Sequence, residues 1–149
     1  MMLPMFKKAG YSIFKNSEIK KNPHILDNIN RYVVKNVPFK TIYNSNGRTE
    51  FLICKIDNES KRYIRVEAKH QSKPGSVDEK FPYMLLNGIY QYPENEVVFV
   101  IDGGGYKPGA RKWVQDQIDN DWLEYKERGK DIKLMDINEF LDFFRTELA

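Results

Sequence analysis

Cysteine and histidine are nearly missing from this chain: Cys54 is the one cysteine, and His24 and His70 are the two histidines in 149 residues. An intrachain disulfide is therefore excluded, and a structural zinc site lacks the residues to form. Long hydrophobic runs are missing as well. The longest, VVFVI at 97–101, falls far short of the roughly 20 apolar residues of a membrane-spanning helix. The opening MMLPMF is too short for the apolar core of a secretory signal, and no cleavage pattern follows it. No internal repeat, low-complexity tract or long linker interrupts the chain. These absences lead to the expectation of an intracellular, cytoplasmic protein. Residues 1–149 are expected to form a single domain, with 1–22 an N-terminal extension of unassigned structure.

Apolar residues make up 41% of the chain and charged residues 30%, a balance that supports a folded globular core rather than disorder. The net charge of +3 permits nucleic-acid binding without demanding it. In PHILDNINRYVVKNV, Ile25, Leu26, Ile29, Tyr32, Val33 and Val37 recur at helix-like spacing, which predicts an amphipathic helix from Pro23 that Pro38 ends. SNGRTEFLICKID then reads as a turn leading into a strand of about eight residues. DNES at 57–60 is turn chemistry, and KRYIRVEAK returns as a second strand, so the two predict a β-hairpin.

Downstream, PYMLLNGIYQ predicts a short helix from Pro82, and EVVFVI a strand buried on both faces. The glycine-rich DGGGYKPG leads into a helix expected over 109–127, where Trp113 and Trp122 are read as core residues. KDIKLMDI predicts a strand and INEFLDFFRTEL a closing helix. The predicted order α-β-β-α-β-α-β-α describes an α/β protein: an α-β-α sandwich around a mixed central sheet whose first strands form a hairpin.

Within the second hairpin strand, Glu67 and Lys69 share a face because side chains alternate along a strand. The spacing alone means little, since Glu18-Ile-Lys20 and Glu124-Tyr-Lys126 repeat it. Context sets the copy at 67 apart. If the turn centres between Asn58 and Glu59, Asp57 faces Ser60 and the same register sets Glu50 against Glu67. Two opposed carboxylates repel unless something neutralises them. A divalent cation does so, and oxygen ligands suit Mg²⁺ or Mn²⁺. Lys69, one pleat along, then reaches toward a phosphate or an attacking water.

Glu50, Glu67 and Lys69 on a hairpin framed by helices resemble the core of the PD-(D/E)xK nuclease superfamily, the restriction-endonuclease-like fold. The run VEAKHQSKPGSVDEKFPYMLLN, followed by VVFVIDGGGYKPGARKWV, is similar to a compact subgroup of phage, homing-type or restriction-type nucleases. The likeness covers about residues 48–140. It departs from the family pattern at the first acid, which is usually Asp and here is Glu50 after Thr49. Asp57 is the rival for that role, and Glu18 is a candidate first-helix acid whose plainer reading is a solvated helix-start carboxylate.

The resemblance implies a Mg²⁺-dependent DNA endonuclease (with Mn²⁺ a substitute), phage/homing-type or restriction-type and site-specific. Glu50, Glu67 and the Ala68 carbonyl would hold the metal, with Lys69 and Gln71 completing the catalytic set. Double-stranded DNA is the expected partner, met by Lys73, Lys80, Tyr106, Lys107 and Arg111, and a homodimer or higher symmetric oligomer is expected. His70 should point to the opposite face. Ser76 and Glu79 match a capping box. The loop at 102–109 matches neither a Walker nor a dinucleotide fingerprint. The rival readings are a junction-resolvase-like nuclease and a non-catalytic DNA-binding or assembly protein that kept the fold.

Overall fold

The computed structural model describes residues 2–58 and 60–149. A six-stranded sheet runs through it in the order β1-β2-β3-β4-β5-β6. Before the hairpin come α1 (Met2–Lys8), β1 (Ser12–Lys15), α2 (Asn16–Lys21) and β2 (Arg31–Lys40). The predicted hairpin is β3 (Asn46–Asp57) with β4 (Ser60–His70). It is followed by α3 (Phe81–Tyr90), β5 (Glu96–Asp102), α4 (Pro108–Asp119), β6 (Asp131–Met135) and α5 (Ile137–Glu147). β2, β3 and β4 pair antiparallel, while β1–β2, β4–β5 and β5–β6 are parallel. The sheet is therefore mixed, as expected, but two strands precede the hairpin instead of one helix.

β5 shows why the middle of the sheet is buried on both faces. Val98 and Val100 join the core under α1 and α5 with Phe6, Phe140 and Phe144. Their neighbours Val97, Phe99 and Ile101 point the other way, into the core under α3 and α4 with Phe81, Leu85 and Val114. A continuous apolar run can satisfy two faces at once only when helices cover both. Among the described residues no helix is long and apolar enough to cross a membrane.

The helix predicted over 23–37 is replaced by a 3-10 turn at Pro23–Leu26 and by β2. Tyr32, Val33, Val34, Val37 and Phe39 are β-branched or aromatic, and pairing with β3 along most of the strand overrides a helix-like spacing. That spacing has its own cause. Asn36, at φ +56°, and Glu50 drop out of the β2–β3 ladder together, between the rungs Lys35–Phe51 and Val37–Thr49. The side-chain alternation resets there, so Val37 joins Tyr32, Val34 and Cys54 on one face. Pro38 does not end an element. β1 pairs only with Tyr32–Lys35, so β2 is an edge strand beyond that point, where proline is tolerated.

The helix predicted over 109–127 stops at Asp119, and Trp122–Arg128 forms a separate 3-10 stretch. Asp121 before that stretch and Leu123 and Glu124 within it are left-handed, which no α-helix accommodates. Trp113 and Trp122 meet edge to face, centroids 5.4 Å apart, against the core under α3 and α4.

Candidate functional site

The hairpin register is the one the turn predicts. Asp57 pairs with Ser60 and Phe51 with Val66, with the intervening rungs in step. Asn58 is left-handed at φ +44°, as tight hairpins require, and Glu59 lies outside the described residues. The ladder stops at Phe51–Val66, so Glu50 and Glu67 are the next residues along, at the point where the two strands part. β4 continues alongside β5, pairing Glu67 with Phe99 and Lys69 with Ile101.

Glu67 is 8% exposed. Its Oε1 accepts the Ala68 N–H at 3.1 Å, and its Oε2 lies 3.8 Å from Lys69 Nζ. Burial pushes its carboxyl from 4.5 up to about 7; the Lys69 ammonium opposes the rise and the Glu50 carboxylate adds to it. Glu50 is thus close enough to be felt, and it is exposed. Glu67 lines a cavity of about 490 Å³ between the β2–β3 turn and α3, which also holds Lys69, Lys80, Arg48 and Tyr83. Glu50 lines an adjoining cavity of about 590 Å³ with Ala68, His70 and Asp102. Lys69 lines both.

Behind this face sits a residue that sequence reading passed over. Arg65 is 2% exposed and one pleat before Glu67. It pairs with Glu94, donates to Thr49 Oγ1 at 3.0 Å and to the Val37 carbonyl at 3.3 Å, and lies over the Tyr92 ring. Thr49 and Val37 form the rung directly after the Glu50 interruption. The buried guanidinium therefore ties down the backbone that carries Glu50, while Glu94 neutralises its charge. The two-residue period that linked Glu67 to Lys69 would have placed Arg65 on the same face.

Gln71 is buried and engaged at both ends of its amide. Nε2 donates to the Gly105 carbonyl at 2.8 Å, and Oε1 accepts the Val77 N–H at 2.9 Å. Its backbone bonds the Asp102 carbonyl and the Gly105 N–H. This joins the loop at 72–77 to the glycine-rich loop after β5. Gly103 is left-handed at φ +91°, and a Cβ at Gly103 or Gly105 would overlap the backbone of Gln71 or Lys73. The glycines are there so that two loops can touch.

Asp78 extends the joint: it is buried, and its Oδ2 accepts the Lys107 N–H at the start of α4 at 2.8 Å. The Ser76–Glu79 capping box does not form; Ser76 contributes its backbone carbonyl to Glu79 N–H instead.

The remaining candidates are spread out. Lys80 lies on the Glu67 cavity. Lys73 and Lys107 are exposed beyond the joined loops. Tyr106 packs edge to face on Phe81, and Arg111 pairs with Glu139 at 3.4 Å. His70 turns to the opposite face, as expected, with Nδ1 3.5 Å from Asp102. Glu18 caps its own helix by accepting the Lys15 N–H, and Asp57 sits at the hairpin turn, 3.6 Å from Lys55.

Among the described residues no three His, Cys, Asp or Glu side chains group to hold a metal ion. The oxygen groups at the parting strands are the Glu50 and Glu67 carboxylates and the Ala68 carbonyl of β4, all hard donors. The buried Glu67 carboxylate, whose cost is raised by Glu50 and opposed by Lys69 and Arg65, fits a divalent cation that keeps several of its waters, as Mg²⁺ does.

Comparison with known proteins gives one match. A family model described as a PD-(D/E)XK nuclease superfamily domain matches residues 1–147. No curated protein and no solved structure matches the chain significantly.

Proposed function

The chain belongs to the PD-(D/E)XK nuclease superfamily, and from that premise we propose that it is a divalent-metal-dependent endonuclease hydrolysing phosphodiester bonds in double-stranded DNA. The observation that carries this reading is the parting of β3 and β4. It leaves Glu67 on one cavity and Glu50 on the adjoining one, with Lys69 lining both. Glu50, Glu67 and the Ala68 carbonyl are the residues that would hold Mg²⁺ or Mn²⁺. When bound, the ion supplies Lewis-acid stabilisation of phosphate charge and acidifies a water.

The protein's own side chains do the rest. Lys69 places a positive charge where the attacked phosphate gains negative charge, and its ion pair with Glu67 fixes the ammonium's position. Glu67, whose charge is disfavoured by burial, would be held ionised by the cation it binds. Gln71 acts at one remove, joining the loops that follow β4 and β5. A chain of this size that cuts both strands does so as a symmetric dimer or higher oligomer, one site per strand. The phage/homing-type or restriction-type, site-specific role belongs to this proposal.

Supercoiled plasmid with Mg²⁺ or Mn²⁺ tests the assignment. Wild type nicks it, and Lys69→Ala and Glu67→Gln lose at least about 100-fold in rate. Equal nicking by wild type and Lys69→Ala would show that the catalytic assignment is wrong. Metal-independent binding without any cleavage would mark a DNA-binding protein that kept the fold.

A further inference from the structure

The cavity that holds Glu67 and Lys69 has a second feature on its rim. Tyr43 is 75% exposed, the most exposed of the large hydrophobic side chains. It stacks on Tyr83 of α3 with ring centroids 5.0 Å apart and planes 21° from parallel. Both rings line the same cavity as Glu67, Lys69, Arg48 and Lys80. An aromatic ring held out in water costs solvation and contributes little to the fold.

The turn that presents it is nonetheless rigid. Thr41 is buried and its N–H donates to the Ser45 carbonyl at 2.9 Å, while Thr41 Oγ1 accepts the Tyr43 and Ser45 N–H groups. The buried Asn87 accepts the Ile42 N–H at 2.9 Å, and Gln91 Nε2 donates to the Lys40 carbonyl at 2.7 Å. Asn87 of α3 and Gln91 at its C-terminal cap are thus spent on fixing a turn whose tip is a tyrosine. Among the described residues neither Arg48 nor Lys80 has an ion-pair partner. The rim therefore combines a fixed π-face with unpaired positive charge, next to the residues assigned to cleavage.

We propose that the outer face of Tyr43, backed by Tyr83, is a stacking site for an unpaired nucleobase of the DNA strand whose backbone reaches Lys69. This rests on the nuclease reading and names its substrate class. Within continuous duplex both faces of each base are covered by neighbours, so an open tyrosine face favours DNA with an unpaired nucleotide beside the cut: an overhang, a flap or a bulge. Arg48 and Lys80 then meet the phosphates flanking that nucleotide. Stacking accepts any base, so the site selects DNA shape, not sequence.

The test is binding of the whole chain in EDTA, where no cleavage occurs, to two labelled probes read by fluorescence anisotropy. One is a continuous duplex; the other carries a short overhang with 2-aminopurine at the first unpaired position. Tyr43→Ala is expected to weaken overhang binding roughly 5- to 100-fold, to abolish quenching of the 2-aminopurine and to leave duplex binding unchanged. Tyr43→Trp keeps both signals. Because Tyr43 is exposed, its variants should melt with wild type, and Tyr83→Ala should show a smaller loss of the same kind. Equal losses on both probes would overturn the site, as would no loss, or a changed sedimentation coefficient with binding intact, which would make Tyr43 a contact between copies. The two readings fail separately. A wild type that quenches the overhang base but never cuts DNA removes the nuclease and leaves the stacking site. A nicking enzyme whose Tyr43→Ala variant binds both probes normally does the reverse.

Discussion

At the scale of single residues, the chemistry concentrates on Glu67. Its carboxyl titrates near 7 in the folded chain and near 4.5 in the unfolded one, because burial disfavours the charged form. The folded state thus holds more protons between those values, and stability falls as pH rises through that window. Below about pH 4.5 the penalty is absent; above about pH 7 it is complete, on the order of 3 kcal/mol. Glu67→Gln, neutral at every pH, should therefore melt with wild type at pH 4 and several degrees above it at pH 8 without metal. Adding Mg²⁺ at pH 8 should narrow that gap by stabilising only wild type. A melting-temperature difference that does not change with pH would refute the burial argument. Glu67 and Lys69 were legible from alternation along one strand. Arg65, on the same face, was not recognised, because its role comes from Glu94 and the Val37–Thr49 rung, which are distant in sequence.

At the scale of elements, the loops that follow β4 and β5 are packed against each other. The glycine-rich loop matches neither phosphate-binding fingerprint, and the structure shows it approaching the chain's own backbone at Gln71 and Lys73. Gly103→Ala should cost at least about 2 kcal/mol in urea denaturation, since it adds both a left-handed penalty and a steric overlap. Gly104, between the two, has open space around it, and Gly104→Ala should stay within about 0.5 kcal/mol of wild type. Equal costs at the two positions would contradict the packing described. The same scale explains the clearest misreading. β2 carries apolar residues at helix-like spacing because the interruption at Asn36 shifts its alternation by one residue, a displacement that periodicity cannot separate from a helical turn.

At the scale of the whole molecule, the weak net charge of +3 does not say which basic residues meet a partner. Arg48 and Lys80 stand on the Glu67 cavity, whereas Lys20 and Lys21 lie on α2 beside the β1 edge of the sheet. If the cavity face meets DNA, replacing Arg48 and Lys80 by alanine should lower the slope of log K against log salt concentration by about 2. The Lys20→Ala, Lys21→Ala pair should leave it unchanged. Identical slopes for both double variants would mean that DNA is met elsewhere.

The sequence by itself determined the turn at 57–60, and with it the register that brings Glu50 level with Glu67. Short hairpins allow few registers, and a one-residue slip would expose the core face. It determined the both-face burial of β5 and the family likeness around VEAKHQ. Only the tertiary structure decided that residues 31–40 form a strand, since a partner strand outweighs local spacing. Only the tertiary structure showed that Gln71 and the glycines join two loops and that Tyr43 shares a cavity with Lys69. These relations join residues far apart in the chain, and neither propensity nor periodicity carries information about them.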